Sequence, residues 1–268
     1  MIKKIINKSR KILRNIYLSI MGRIVAPQPY VVILSGHMVD WNHDSDADGA
    51  RFLDLLQALK RKCDFVDFQD AVKMITENAV VQRPTIAFAF DDGWRDCYSQ
   101  IAPQLETMGV NAAFFVNPHF ADAADNEDVD YIENFTDNVT KSPGKFPMTW
   151  SQIEDLNKRG FIIGAHTLDH YCINDDNIQE LLHQIVDCKS AIEKRLGTPC
   201  EYFAFPYGRL EHANQESIDI ACKHYKYVFS QGDYKHYFSY GGKVINRRHF
   251  EPFWPISHVM YFLSKKRS

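Results

Sequence analysis

The stretch AFAFDDGW, from Ala87 to Trp94, has the pattern of a buried β-strand that ends in two adjacent carboxylates and a glycine. Two neighbouring acids at the end of a strand repel each other and lose hydration. Gly93 permits a tight turn that aims both side chains outward. A bound cation would offset the repulsion, so this stretch predicts a cation site.

Further short apolar runs predict strands on either side of this one, with helical patterns between them. The predicted strands are residues 30–36, 63–68, 85–90, 111–117, 161–165, 201–205 and 225–230. The predicted helices cover about 48–61, 69–79, 95–108, 150–159, 176–196 and 212–224. The strands are almost continuously apolar, which is typical of parallel strands covered on both faces. The series predicts an α/β barrel or a distorted version of one.

Residues 118–147 form the longest stretch without a clear pattern, and they are polar and acidic. Irregular segments of this length are often functional. We therefore expect an irregular loop here that walls a cleft.

The bulk composition excludes one class of function. The chain has 268 residues, 24% of them charged, and a net charge of −3. This balance is ordinary for a globular protein and does not indicate a nucleic-acid partner.

The charge is nevertheless unevenly placed. Residues 1–28 hold seven Lys and Arg residues and no acid, with isoleucines at helical spacing. They predict a basic amphipathic helix before one domain of residues 29–268. Such a helix either lies on an anionic membrane surface or packs on the domain, and both interpretations stay open. The signal-peptide pattern is weak. We expect a cytoplasmic protein or one peripheral to the inner membrane face, with export left open.

Polar or turn-forming residues directly follow four of the predicted strands. They are His37, the pair Asp91 and Asp92, the pair His166 and His170, and the turn Pro206–Tyr207–Gly208. In an α/β barrel the carboxyl ends of the strands face one cleft. We therefore expect these residues to share an active site.

The two histidines suit a metal ion. His166 and His170 have the i, i+4 spacing that can place two imidazoles on one ion. Two histidines and one carboxylate form a known zinc set with an open position. Asp91 or Asp92 supplies the third ligand, which leaves the other acid free as a base.

Together these residues resemble the motifs of the polysaccharide deacetylases, carbohydrate esterase family four. AFDDG (89–93) matches the essential part of the first motif, T-F-D-D-G, and HTLDH (166–170) matches the second, H-[ST]-x-x-H, in full. AFPYG (204–208) corresponds to the third, R-x-P-x-G. The resemblance covers roughly residues 30–250. It is nearest to the circularly permuted branch that acts on poly-N-acetylglucosamine.

The resemblance implies a distorted (β/α) barrel, usually with seven strands, and a role for each motif residue. Asp92, His166 and His170 would bind a divalent metal, most simply Zn²⁺, with Co²⁺, Ni²⁺ or Fe²⁺ as alternatives. Asp91 would be the general base. The backbone N–H of Tyr207 would help to hold the oxyanion.

The chain departs from the family pattern in the third motif. The family carries an arginine two residues before the proline, where it pairs with the base. Here that position is Ala204. Arg209, Arg247 and Arg248 are the candidate replacements.

The second departure concerns the general acid, a histidine. The permuted branch supplies it from an early strand, and His37 directly follows one. His37 is therefore preferred, with His249 and His258 as alternatives. Three further residues are expected at the same rim: Trp41, His43 and Asp44.

The implied function is removal of N-acetyl groups from amino sugars of a cell-surface polysaccharide or its lipid-linked precursor. The alternatives are a deformylase or amidase acting on another small amide, and a metal-free carbohydrate-binding relic. A membrane-associated scaffold is a third interpretation. The expected substrate contacts are Trp94, Pro206, Tyr207, Gly208 and Arg209.

Overall fold

Strands and helices alternate along most of residues 2–40, 46–139 and 145–268, which the computed structural model describes. The strands are β1 (Val31–Gly36), β2 (Asp64–Phe65), β3 (Thr85–Phe90), β4 (Ala112–Val116), β5 (Ile162–Ala165), β6 (Tyr202–Ala204), β7 (Tyr227–Ser230), β8 (Phe238–Ser239), β9 (Val244–Asn246) and β10 (Arg248–His249). The helices are α1 (Ile2–Ile24), α2 (Asp46–Lys60), α3 (Phe68–Thr76), α4 (Ala102–Thr107), α5 (Pro118–Asp125), α6 (Val129–Val139), α7 (Trp150–Lys158), α8 (Ile178–Leu182), α9 (Cys188–Leu196), α10 (Gln215–His224) and α11 (Ile256–Leu263). π-helical turns precede α4 and join α8 to α9.

The strands form one curled, mostly parallel sheet. Its order is β10-β1-β3-β4-β5-β6-β7-β9-β8, with β2 on β3, and only the β8–β9 pair is antiparallel among the described strands. The predicted distorted (β/α) barrel is confirmed, and each of the seven predicted strands is present. Strands β8 to β10 were not predicted because each has only two or three residues.

The curl of the sheet brings its two sides together at Arg247. Strand β9 pairs with β7, whereas β10 pairs with β1 on the other side of the sheet. Only Arg247 separates β9 from β10, and its backbone N–H donates to the Ser230 carbonyl over 2.9 Å. We call this junction the seam.

The continuous apolar strands serve two cores. In β1, Val31 and Ile33 face a core that also holds Phe115 and Phe229, whose ring centroids lie 5.6 Å apart. That core collects residues from six strands and α3, so it fills the inside of the curled sheet. The alternate residues Val32 and Leu34 face the outer helices. Both faces are buried, which removes the alternation of polar and apolar residues.

The prediction of an irregular loop over residues 118–147 was wrong. Helices α5 and α6 occupy most of it, and residues 140–144 lie outside the described parts. In α6, Ile132 and Phe135 are buried at helical spacing, and the Phe135 ring stacks on Phe120 with centroids 3.7 Å apart. Acidic residues occupy other positions of α6, and they gave the segment the polar composition that is typical of a loop.

A buried ion pair fixes the segment that follows α6. Lys145 Nζ lies 3.0 Å from Asp96 Oδ2, and both side chains are almost fully buried. The Arg95 N–H donates to the Phe146 carbonyl over 2.8 Å, so this segment lies beside the end of β3. The ion pair therefore fixes the segment at Lys145 and Phe146 next to the end of the AFAFDDGW stretch.

Replacing Lys145 by Met should lower the free energy of unfolding by about 3–5 kcal/mol, because Asp96 would lose its buried cation. Urea unfolding measures the change. The control is Lys226→Met, which breaks an exposed pair with Glu201 at 3.7 Å and should cost about 1 kcal/mol or less. Equal losses in the two variants would contradict this prediction.

Helix α1 packs against α11, as one of the two interpretations of residues 1–28 expected. Ser19 Oγ lies 3.1 Å from His258 Nε2, and the Tyr17 and Tyr261 ring centroids lie 5.6 Å apart. None of the described helices has the length and hydropathy needed to cross a bilayer.

Candidate active site

A cleft of about 340 Å³ lies at the carboxyl ends of the parallel strands. Its walls come from five strand ends and from the loop that follows β7. The lining residues are His37, Asp91, Asp92, His166, His170, Tyr207, Gly208, Arg209, Gln231, Tyr234 and His249. The structure thus brings together the polar residues that follow the predicted strands.

Asp92, His166 and His170 form a buried cluster at the base of the cleft. Asp92 Oδ1 lies 3.3 Å from the Nε2 atom of each histidine. His166 Nδ1 lies 2.6 Å from the Ala204 carbonyl, to which it must donate, so Nε2 is the ring nitrogen that lies beside Asp92. The Trp94 indole N–H donates to Asp92 Oδ2 over 2.9 Å and leaves Oδ1 directed at the histidines.

This cluster fits a divalent cation. Asp92 Oδ1 is buried and has no hydrogen-bond donor among the described residues, which is costly for a carboxylate oxygen without a cation. Burial opposes ionisation, but the two imidazoles outweigh it and hold the pKa of Asp92 well below its usual value. Two nitrogen donors and one ionised oxygen within 4.8 Å of one another match a catalytic zinc set.

The backbone at the site is held in an unusual conformation. Asp92 has a φ of +74°, and His170 and Tyr207 have φ values of +55° and +60°. Non-glycine residues seldom adopt this left-handed region, and they do so mainly where the surroundings impose it. The Met148 N–H donates to the Gly93 carbonyl over 2.9 Å and supports the turn after β3.

Asp91 is paired with the buried guanidinium of Arg247. Nη1 lies 2.7 Å from Oδ1 and Nη2 lies 2.8 Å from Oδ2, which is a bidentate ion pair. Gln231 Nε2 is 3.3 Å from Oδ2 and 2.8 Å from Ser35 Oγ. Burial would raise the pKa of Asp91, but the Arg247 charge outweighs it and holds this pKa below its usual value.

Among the three candidate arginines, the structure places Arg247 on Asp91. Arg209 is exposed and lies 3.4 Å from Glu211. The guanidinium of Arg248 lies 3.9 Å from the centroid of the Tyr234 ring. Arg247 reaches Asp91 because it occupies the seam, where its side chain enters the inside of the curled sheet.

His37 is held by a carboxylate that sequence analysis did not identify. Its Nδ1 lies 2.7 Å from Glu251 Oε1, and its backbone N–H donates to Oε2 over 3.1 Å. Burial disfavours the charged imidazole, but the charge and hydrogen bond of Glu251 outweigh it and raise the pKa of His37 to about 10. His37 is therefore protonated at neutral pH.

The other two candidate acids differ from His37. His249 lines the cleft, with its ring centroid 5.6 Å from that of His37, but burial lowers its pKa to about 4. It is therefore neutral near pH 7. His258 belongs to α11, is bonded to Ser19 of α1 and does not line the cleft.

The predicted substrate contacts divide into two groups. Tyr207, Gly208 and Arg209 line the cleft, and the Tyr207 side chain is 48% exposed. In the described parts of the chain, the Tyr207 backbone N–H has no hydrogen-bond acceptor, which leaves it open to a ligand. Pro206 is buried and does not line the cleft.

Trp94 does not fit its predicted substrate contact, because its side chain is fully buried. Its ring packs on Phe120 and Phe135, with centroids 5.0 and 5.9 Å away. Trp94 instead positions Asp92 through the indole N–H. The expected rim residues Trp41, His43 and Asp44 lie outside the described residues.

Sequence analysis missed three residues of the site: Glu251, Gln231 and Tyr234. Gln231 and Tyr234 lie in the loop that follows β7, and Glu251 follows β10. Gln231 directly follows the last residue of β7, so the search of strand ends that identified the other site residues would have included it.

The sequence and the fold match known proteins. The model of the polysaccharide deacetylase family matches residues 78–225. YxkH of Bacillus subtilis (strain 168), assigned to the polysaccharide deacetylases, is 24% identical over 156 residues, which are 58% of this chain and 47% of that protein. The chain therefore spans about half the length of this curated relative.

Two solved structures share the fold over nearly their whole length. IcaB from Ammonifex degensii has a TM-score of 0.66 and 19% identity, covering 89% of this chain and 99% of that one. The Streptococcus pyogenes deacetylase PplD, solved in complex with acetate, has a TM-score of 0.65 and 17% identity, covering 88% and 99%.

Proposed function

This chain belongs to the polysaccharide deacetylase family, and from that premise we propose that it is a metal-dependent hydrolase of N-acetylated amino sugars. The proposed substrate is a cell-surface polysaccharide or its lipid-linked precursor. The observation that carries the proposal is the buried cluster of Asp92, His166 and His170. Beside it lie two titratable residues with separate partners, Asp91 paired with Arg247 and His37 paired with Glu251.

The cation would be held by Asp92, His166 and His170. When bound, it would polarise water and the acetamide carbonyl and so favour attack at neutral pH. Zn²⁺ suits two nitrogen donors and one carboxylate, and Co²⁺, Ni²⁺ or Fe²⁺ accept the same donors.

Two residues of the chain, Asp91 and His37, carry out the proton transfers. Asp91, held ionised by Arg247, accepts a proton from the attacking water. The Tyr207 N–H donates to the carbonyl oxygen as it gains negative charge. His37, held protonated by Glu251, donates a proton to the leaving nitrogen as the C–N bond breaks. Acetate and a free amino sugar are the products.

An acetyl group is the proposed acyl group for two reasons. The related PplD structure holds acetate. The cleft is small at about 340 Å³, and the exposed Tyr207 ring beside His170 offers a face on which a sugar can stack.

The intact cation cluster argues against a metal-free carbohydrate-binding relic.

The decisive experiment is a panel assay of acetate release from N-acetylglucosamine oligomers and lipid-linked sugars. We expect release that a chelator stops and that added Zn²⁺ restores. A parallel panel of formylated sugars and small amides tests the alternative, and formate release without acetate release would overturn the proposal.

Replacing Glu251 by Gln should move the alkaline limit of the rate to lower pH. Without the carboxylate, the pKa of His37 falls, so the acid loses its proton earlier as pH rises. We expect a shift of at least about one pH unit in the rate profile.

The control for this variant is Glu211→Gln, which removes an exposed carboxylate that pairs with Arg209 at the rim of the cleft. Its profile should match that of the unchanged protein. An alkaline limit that stays in place in Glu251→Gln would show that His37 is not the acid.

A further inference from the structure

Helix α1 carries a face of large apolar side chains that the fold leaves uncovered. Five of them are more than half exposed: Ile12, Leu13, Ile16, Ile20 and Ile24. Among the other residues whose side-chain exposure the structure describes, only Val80 and Val129 are large apolar side chains exposed to that degree. We call these five residues the α1 apolar face. Such a concentration on one element marks an interaction surface.

The orientation of α1 is set by its opposite face. Leu18 is buried, and a Cβ atom at Gly22 would overlap the Ser257 carbonyl of α11 at 1.6 Å. Ser19 bonds His258 on the same side. Leu18 and the small and polar residues therefore pack inward, and the isoleucines of the α1 apolar face point outward. A surface helix that buries its whole apolar stripe in its own domain would show the reverse.

Charge identifies the occupant of the apolar face. Arg10, Lys11, Arg14 and Arg23 are exposed on the same helix, and residues 1–28 carry seven basic groups and no acid. The remaining 24 basic and 34 acidic residues give residues 29–268 a net charge of −10. A second copy of α1 would bring seven positive charges against seven. An anionic phospholipid surface satisfies both the apolar and the basic groups.

We propose that α1 lies in the interface of an anionic phospholipid bilayer. The α1 apolar face enters the boundary between headgroups and acyl chains, and the arginines and lysines contact lipid phosphates. Helix α11, on which α1 packs, begins at Ile256 shortly after Glu251, the partner of His37. Adsorption therefore also orients the cleft relative to the bilayer. The proposal goes beyond the proposed function and does not depend on it.

Sedimentation of the full chain with lipid vesicles tests this proposal without any activity measurement. We expect binding to phosphatidylcholine vesicles that contain phosphatidylglycerol, and at least about tenfold weaker binding to phosphatidylcholine alone. High salt should weaken the binding to anionic vesicles. Equal binding to both kinds of vesicle, or no binding to either, would overturn the proposal.

Variants assign the binding to the helix face. Ile16→Asp with Ile20→Asp should weaken binding to anionic vesicles by at least about tenfold, because both side chains point away from α11. Val80→Asp changes a still more exposed apolar residue elsewhere and should bind like the unchanged protein. Circular dichroism checks that the variants are folded.

Two outcomes would contradict this assignment. If Ile16→Asp with Ile20→Asp binds vesicles normally, another surface meets the lipid. If light scattering finds a dimer that the same variant dissociates, a second copy of the chain covers the apolar face.

Discussion

Replacing Asp91 by Asn should lower the rate of acetate release by at least about 10³-fold and leave the cation bound. The amide keeps the size of the carboxylate but cannot accept the proton of the attacking water. Arg247, which pairs with both Asp91 oxygens, would also lose its counter-charge inside the sheet. The loss of the proton acceptor should appear in turnover, and the loss of the buried counter-charge should lower the free energy of unfolding.

Two measurements separate this result from general damage. Elemental analysis should still find one cation per chain in Asp91→Asn. Asp219→Asn, which changes an exposed carboxylate beside Lys243, should leave both the rate and the cation content unchanged. If Asp91→Asn retains most of its rate, Asp91 is not the base and its pairing with Arg247 is structural.

Replacing the neighbouring Asp92 by Asn should remove both the cation and the activity. Asp92 supplies the single ionised oxygen between His166 and His170, and an amide oxygen carries no charge to hold the cation. Loss of even a supporting group around a metal costs about 10–100-fold in affinity, so loss of a direct ligand should cost more.

Asp91→Asn and Asp92→Asn thus form a matched pair of variants, of which only Asp91→Asn should retain the cation. Titration with Zn²⁺ should give about one equivalent for Asp91→Asn and almost none for Asp92→Asn. Zn²⁺ should also raise the melting temperature of Asp91→Asn and leave that of Asp92→Asn unchanged, since only a binding protein is stabilised. Full cation content in Asp92→Asn would refute the assignment of the cluster.

The residues that could be predicted are those whose signal is local. Asp91 and Asp92 end a six-residue strand, and His166 and His170 follow another, so a short window of sequence contains both the strand and its chemistry. The cluster of Asp92 with the two histidines follows from the parallel sheet, because such strands present their ends to one side.

The residues that could not be predicted depend on contacts distant in sequence. Arg247 was one of three candidates, and only the seam between two very short strands places it on Asp91. Glu251 follows a two-residue strand that has no detectable pattern. Trp94 follows the acids after a single glycine, but sequence does not tell whether its ring faces the cleft or the core.

The seam has a consequence for biosynthesis. A nascent chain emerges from its amino end, and residues Asp91, Asp92, His166 and His170 leave the ribosome well before Arg247. Until the segment that carries Arg247 and Glu251 comes to lie beside β1, Asp91 lacks its guanidinium partner and His37 lacks its carboxylate partner. Under the proposed function, the growing polypeptide would therefore lack both of these ion pairs, and hydrolysis would begin only after this part of the sheet has closed.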